Sequence, residues 1–197
     1  MSDQISGVFS PFLRRRRIFA VQHRLYGRVL DIGCGVGYLA RHVASDSYLG
    51  VDIDQHSIEI AGSTFPNHQF RMIDVEMAWT SDVEGQRFDT IVMLALIEHL
   101  ADPPRMLRSI VGLLDLRGTM ILTTPHPAFG WSHRIGAKLG LFSRAADEEH
   151  QELLGPSRMV RIAAEAGLNV VMRKRFLFGA NQLFVLKHAA ADVNNLA

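Results

Sequence analysis

Short apolar runs rich in Val, Ile and Leu recur along this chain with segments of helical period between them. That rhythm constrains the fold more tightly than any single motif. Five runs stand out: residues 28–32 (RVLDI), 48–52 (YLGVD), 68–73 (HQFRMI), 88–94 (FDTIVML) and 119–124 (TMILTT). Strands alternating with helices build βαβ units and a parallel sheet. The longest apolar stretch, TIVMLALI at 90–97, suits a strand buried on both faces and falls well short of the ~20 residues of a membrane-spanning helix.

Between the first two runs, Val36, Leu39, Ala40 and Val43 fall at helical spacing, so a helix is expected directly after the first glycine-rich turn. Asp102 and Pro103 read as an N-cap and a first-turn proline. Behind them Met106, Leu107, Ile110, Leu113 and Leu114 share one face. A last helix is expected at 156–166, stopped by Gly167 as a left-handed C-cap. Residues 168–178 and 181–188 then read as two strands joined at Gly179 and Ala180, an antiparallel hairpin at one end of the sheet. With 197 residues, 48% of them hydrophobic, the chain can bury one sizeable core, which argues for one domain. A net charge of +1 gives no general attraction to nucleic acid or to a membrane surface. The single cysteine cannot form an internal disulfide, and no basic, apolar, cleavable segment precedes the first motif, so a cytoplasmic location is expected.

Residues 29–40, VLDIGCGVGYLA, close the first run with three glycines. In an open α/β sheet, ligands bind outside the carboxyl ends of the strands where strand order reverses, and this turn lies at such an end. Gly33, Gly35 and Gly37 remove Cβ atoms where the backbone must bend and let a ligand touch the main chain, while a following helix N-terminus would offer free N–H groups. GVGYLA also satisfies the G-x-G-x-x-A form of a nicotinamide-cofactor fingerprint, so the glycines alone leave the ligand open. Asp31 narrows the choice, because a fixed negative charge just before the turn opposes a pyrophosphate and favours a cationic ligand. Asp52 ends the second run, whereas Asp54 precedes QHSIEIA and reads as the N-cap of the next helix. Cys34 reads as a small residue in a tight turn rather than as a nucleophile.

The DIGCGVG stretch resembles the first motif of the class I S-adenosylmethionine-dependent methyltransferases, an acidic residue followed by G-x-G-x-G, and the resemblance extends over most of the chain. It implies an α/β, Rossmann-like fold: a seven-stranded, mostly parallel sheet with helices on both faces and a C-terminal antiparallel hairpin. One methyltransferase domain would cover residues 1–188, with an N-terminal helix over 9–26, an insertion over 125–155 and a flexible tail at 189–197. The implied cofactor is S-adenosyl-L-methionine, held by Asp31, Gly33, Cys34, Gly35 and Gly37. GVDID resembles the family's second acidic motif, which assigns both ribose hydroxyls to Asp52 and packing on the adenine to Ile53. A carboxylate suits that task because it only accepts hydrogen bonds. Asp74 matches the carboxylate near the adenine amino group, with Val75 donating through its backbone; the alternative for Asp74 is a solvated loop acid. Leu94 matches a position whose backbone touches the methionine portion.

The activated sulfonium leaves the protein mainly to align an acceptor lone pair and to exclude water. LALIEHLADPPRML, after the fourth run, resembles a subgroup that includes the ubiquinone-biosynthesis O-methyltransferases, which tilts the acceptor atom toward oxygen. In that subgroup a Glu-x-x-Glu-His pattern is associated with a metal ion. Ala95 stands in place of the first glutamate here, leaving Glu98 and His99, and no metal is carried over. His99 is the catalytic candidate, as a base or an acceptor-orienting group, or else a histidine that fixes the loop. Glu98 reads as structural. The 125–155 insertion is long for a connection between elements, and His126, Phe129, Trp131, His133 and His150 form either an acceptor pocket or a satellite core.

Arg14 to Arg17 sit on the N-terminal helix, and at about 100° per residue four successive side chains spread nearly all the way round. At least one must face the body of the protein. Because the family's N-terminal helix often covers the cofactor, one arginine can pair with the cofactor carboxylate or an acidic acceptor, the alternative being a solvated face. The expectation is methyl transfer to a small-molecule acceptor, with no nucleic-acid partner and no stable membrane association; nothing in the sequence speaks to oligomeric state. Two rivals stand beside it: a nicotinamide-dependent oxidoreductase and a protein that binds S-adenosylmethionine without turnover.

Overall fold

The computed structural model of the chain describes residues 10–77, 83, 85–127 and 154–189. Seven strands form one sheet: β1 (Val29–Ile32), β2 (Tyr48–Asp52), β3 (Gln69–Met72), β4 (Phe88–Leu94), β5 (Leu114–Pro125), β6 (Leu168–Phe176) and β7 (Asn181–His188). Their spatial order is β3-β2-β1-β4-β5-β7-β6. The pairs β1–β2, β1–β4, β2–β3 and β4–β5 are parallel, and β5–β7 and β6–β7 are antiparallel. The chain therefore winds outward one way from β1 to β3, returns to β4 beside β1, and winds outward the other way. The carboxyl ends of β1 and β4, with Ile32 opposite Met93, flank the point where the order reverses.

Among the described residues four α-helices cover the sheet: α1 (Ser10–Val21), α2 (Gln55–Thr64), α3 (Pro103–Ile110) and α4 (Pro156–Glu165). Alternation along β1 divides the core. Leu30 and Ile32 join Ile91 and Met93 beneath Met106, Leu107 and Ile110 of α3 and Met159 and Ile162 of α4. Val29 points to the opposite face with Val92, Ile121 and Leu183, beneath Ile18 and Val21 of α1. Each such fully buried aliphatic side chain stabilises the fold by about 1.5–3 kcal/mol. Asp54 caps α2, accepting from the Ser57 N–H at 3.2 Å, and Asp102 caps α3, accepting from the Arg105 N–H at 2.9 Å with Pro103 in the first turn. Gly167, at φ 75°, ends the turn after α4.

Three expectations change. The helix expected after the glycine turn is a single 3-10 turn, Tyr38–His42, flanked by Gly37 at φ 75° and by extended Val43. Leu39 and Ala40 are still buried, so the apolar spacing is used without an α-helix, and no α-helical N-terminus follows the glycines. β5 begins at Leu114, which pairs with Phe88 before an irregularity in register, so the LDLRG segment belongs to the strand. The β6–β7 connection starts earlier than expected: Leu177, Phe178 and Gly179 all take positive φ, and Phe176 pairs with Asn181. The expected 9–26 helix comprises α1 and a 3-10 turn, Gln22–Arg24. Of the insertion candidates, Phe129, Trp131, His133 and His150 lie outside the described residues, as do residues 190–197 of the expected tail.

Candidate cofactor and acceptor site

The rim formed by the carboxyl ends of β1, β2 and β4 is organised around the glycine turn. Gly33, Gly35 and Gly37 all adopt positive φ, a region that side chains disfavour. The Gly33 and Cys34 N–H groups both donate to the carbonyl of Val51, at 2.8 and 3.0 Å, which pins the turn to the end of β2. A Cβ on Gly37 would meet the Phe70 ring at 2.7 Å, and one on Gly33 would meet Leu96 at 3.2 Å. A Cβ on Gly35 would meet nothing within 4 Å, so this backbone faces open space of the kind a ligand needs.

Asp52 ties the two loops of the rim together. One carboxylate oxygen accepts from the Gly35 N–H at 2.7 Å and the other from the Asp54 N–H at 3.0 Å. Each oxygen retains a lone pair for a further donor. Asp54 turns its carboxylate away to Ser57, so the two aspartates divide the tasks as their positions suggest. Ile53 between them leaves 64% of its surface exposed, an apolar side chain standing at the rim with no protein cover. Asp74, half-buried after β3, accepts from the Glu76 N–H at 3.0 Å, and Val75 packs partly against the core. Leu94 ends β4, also half-buried.

Asp31 is only 2% exposed and accepts a hydrogen bond from the Tyr48 hydroxyl at 2.8 Å. Burial pushes its pKa up to about 7, the Tyr48 hydroxyl holds it down, and the Asp52 charge nearby pushes it up again. Its negative charge is therefore conditional near neutral pH rather than fixed, and a cation in the site would favour the ionised form. The Cys34 thiol is pushed up well above its ordinary value by burial and by Asp31 and Asp52, and it donates to the Gly35 carbonyl at 3.5 Å. These surroundings disfavour the thiolate that a nucleophile needs.

Helix α1, packed on one face of the sheet, sends two arginines to the rim. The Arg14 guanidinium lies over the Tyr38 ring, 5.2 Å from its centroid, just past the glycine turn. Arg15 and Arg16 are exposed. Arg17 turns inward, its Nε donating to Asn181 Oδ1 at 3.3 Å at the start of β7, so the run does send one arginine toward the body. After β4 the chain turns through Ala95, at φ 55°, whose N–H donates to the Thr123 carbonyl at 2.8 Å, and enters a 3-10 turn, Ile97–His99. This turn separates the two polar candidates. Glu98 is 7% exposed beside Thr124, while His99 is exposed at the lip. Burial pushes Glu98 up to about 7, opposed by its own backbone N–H, by Arg17 and by Thr124. His126 is buried against Arg175, and the buried Gln182 side chain donates to the carbonyls of both Pro125 and Leu154, tying together the two ends of the insertion.

The contacts of Asp31 with Tyr48 and of Arg17 with Asn181 carry no mark in the sequence, because each joins residues on different elements. Among the described residues no helix is long and apolar enough to cross a membrane.

A family profile described as a methyltransferase domain matches residues 9–172. The chain is similar to the ubiquinone biosynthesis O-methyltransferase of Idiomarina loihiensis, 27% identical over 180 residues that cover 86% of this chain and 73% of that protein. It is similar to the enzyme of the same name from Coxiella burnetii, 28% identical over 152 residues covering 73% of this chain and 64% of the relative, so it spans less than two thirds of that protein's length. Among solved structures, magnesium protoporphyrin IX methyltransferase from Synechocystis with bound SAH superposes with a TM-score of 0.68 at 18% identity, covering 90% of this chain and 84% of that one. A Mesorhizobium loti S-adenosylmethionine-dependent methyltransferase gives a TM-score of 0.68 at 15% identity, over 89% of this chain and 100% of that one. At these identities the structures attest the fold alone. The nicotinamide reading finds no support in any of these likenesses.

Proposed function

The chain belongs to the class I S-adenosylmethionine-dependent methyltransferases, its family profile covering residues 9–172, and from that premise we propose that it methylates an oxygen atom of a small-molecule acceptor. The observation that carries this reading is the Asp52 carboxylate at the end of β2. It is bonded to the Gly35 N–H and stands beside open space over Gly35, next to the exposed Ile53. That arrangement fits an adenosine: an acceptor for ribose hydroxyls, an apolar surface for a base and a backbone free of side chains. The preference for oxygen rests on the names of the ubiquinone-pathway relatives.

In this reading Asp52 receives the ribose hydroxyls, Ile53 packs on the adenine, and Asp74 with the Val75 backbone meets the adenine edge. Gly33, Cys34, Gly35 and Gly37 line the main-chain cradle, Leu94 borders the methionine portion, and Asp31 supplies negative charge beneath it. S-adenosylmethionine, when bound, supplies a methyl group activated by a sulfonium. The chain's remaining work is to orient an acceptor and keep water out, with α1 as the cover. His99, on the exposed lip, orients the acceptor. Residues 1–188 act as one domain, and the cytoplasm is the expected compartment.

Calorimetry with S-adenosylmethionine, S-adenosylhomocysteine and NAD tests the reading, followed by methyl transfer to a panel of hydroxylated acceptors. Binding of both sulfur compounds and release of S-adenosylhomocysteine with an acceptor are expected; binding of NAD alone would sink it. His99→Ala should lower turnover while S-adenosylhomocysteine affinity is retained, and normal turnover removes His99 from the site.

A further inference from the structure

Two buried side-chain oxygens among the described residues lack a hydrogen-bond partner, Glu98 Oε2 and Thr123 Oγ1, and Thr124 lies beside them against the Glu98 carboxyl. All three lie at the carboxyl ends of β4 and β5, on the acceptor side of the rim. Facing them from α1 is Arg17, whose one hydrogen bond runs to the neutral amide of Asn181. Arg17 and Glu98 feel each other's charge, yet no ion pair joins them. A half-buried guanidinium beside a carboxylate held out of water, the two unjoined, leaves the buried charge costly unless something comes between them.

The chemistry of the two poles specifies what fits. Arg17 presents N–H donors and positive charge, and so takes an oxyanion. Glu98 Oε2 presents lone pairs at a carboxyl that is 7% exposed, and so takes a hydroxyl proton. One molecule satisfies both only if it carries a hydroxyl and an anionic group. We propose that Arg17 and Glu98 are the two ends of the acceptor subsite and that the acceptor is a hydroxy acid, its oxyanion on Arg17 and its reacting hydroxyl on Glu98. This rests on the methyl-transfer reading above. In the reaction the acceptor oxygen bonds to the methyl carbon as the carbon–sulfur bond breaks. The bonding pair stays on sulfur, which becomes a neutral thioether, and the hydroxyl proton passes to Glu98 Oε2. Arg17 is a binding residue throughout. His99, exposed on the lip, lies outside the proton's path.

The test uses the full chain saturated with S-adenosylhomocysteine and two matched pairs of probes: protocatechuate against catechol, and salicylate against phenol. Each carboxylated member should bind roughly ten- to hundredfold more tightly than its neutral partner, the worth of a charge-assisted hydrogen bond. Arg17→Met should erase that preference, Arg17→Lys should restore part of it, and Arg15→Met, on the exposed face of α1, should leave it intact. Glu98→Gln, which keeps shape and removes charge, should lower kcat for protocatechuate with KM and S-adenosylhomocysteine affinity little changed. If the loaded protein binds both members of each pair alike, binds none, or loses neutral and carboxylated probes equally in Arg17→Met, the proposal fails while the methyl-transfer reading stands. Unchanged kcat in Glu98→Gln removes the proton-accepting role. Failure to bind S-adenosylhomocysteine at all overturns the parent reading and this one with it.

Discussion

Replacing Asp52 and Asp54 in turn by alanine separates two carboxylates that lie one residue apart. Asp52 presents one oxygen to the Gly35 N–H at 2.7 Å and the other to the Asp54 N–H at 3.0 Å, which aims its free lone pairs at the space above the turn. A hydrogen bond to a charged group contributes about 1.5–3 kcal/mol, and because Asp52 is half-buried the lower figure applies. Two ribose hydroxyls then account for ~3 kcal/mol, on the order of a hundredfold in Kd for S-adenosylhomocysteine. Loosening of the glycine turn adds to this, since Gly35 loses the partner that holds its N–H. Asp54 instead spends its carboxylate on the Ser57 N–H and hydroxyl at the start of α2, so Asp54→Ala should appear in thermal unfolding and barely in binding. Asp52→Asn tests charge at constant shape: its amide would turn N–H groups toward an N–H, and it should not rescue binding. Calorimetric titration beside thermal unfolding of all three variants is the assay. Equal losses of affinity in Asp52→Ala and Asp54→Ala, or a larger loss in the latter, would refute the division of tasks.

Asp31 and Glu98, both raised to about 7 by burial, hold protons in the folded protein that the unfolded chain has already released above pH ~4. Stability should therefore decline as pH rises from about 4 to 7, and Asp31→Asn should flatten part of that slope in denaturant titrations. Cationic S-adenosylmethionine should bind more tightly at about pH 8 than at about pH 6, where Asp31 is more often protonated, and Asp31→Asn should weaken that dependence; pH-independent binding by the native chain contradicts the account. Tyr48→Phe removes the hydroxyl donated to Asp31 at 2.8 Å, and should cost about 1–3 kcal/mol at alkaline pH but less under acid, measured by urea unfolding. Gly35→Ala and Gly37→Ala both pay the left-handed backbone penalty of roughly 1–2 kcal/mol. Gly37→Ala should lose further stability to the Phe70 clash, whereas Gly35→Ala should chiefly lose S-adenosylhomocysteine binding, because its Cβ enters otherwise open space.

The strands, the caps at Asp54 and Asp102, the stop at Gly167 and the glycine turn were all legible because each is written in residues close together in the chain. Period-two and apolar patterns mark strands, and a cap needs only its own side chain and an N–H a few residues on. The helix expected after the turn failed for a related reason: spacing of apolar residues reports which side is buried, and a 3-10 turn buries Leu39 and Ala40 as well as an α-helix does. Likewise the run expected at 119–124 lengthens backwards, because pairing of Leu114 with Phe88 draws the preceding residues into β5.

By itself the sequence determined the order of elements, the parallel sheet and the acidic-and-glycine turn that marks a cofactor edge. Those follow from local stereochemistry and hydrophobic patterning, which neighbours in sequence are enough to specify. Only the tertiary structure decided which arginine of four turns inward, that Glu98 is buried while His99 is exposed, and that Asp31 meets Tyr48. These choices depend on contacts between distant elements: Arg17 of α1 with Asn181 of β7, the post-β4 turn with Thr123, and Tyr48 of β2 with Asp31 of β1. Side-chain direction at a strand end is set by the elements packed over it, and desolvation, which moves Asp31 and Glu98 toward neutrality, exists only once those elements have closed the rim.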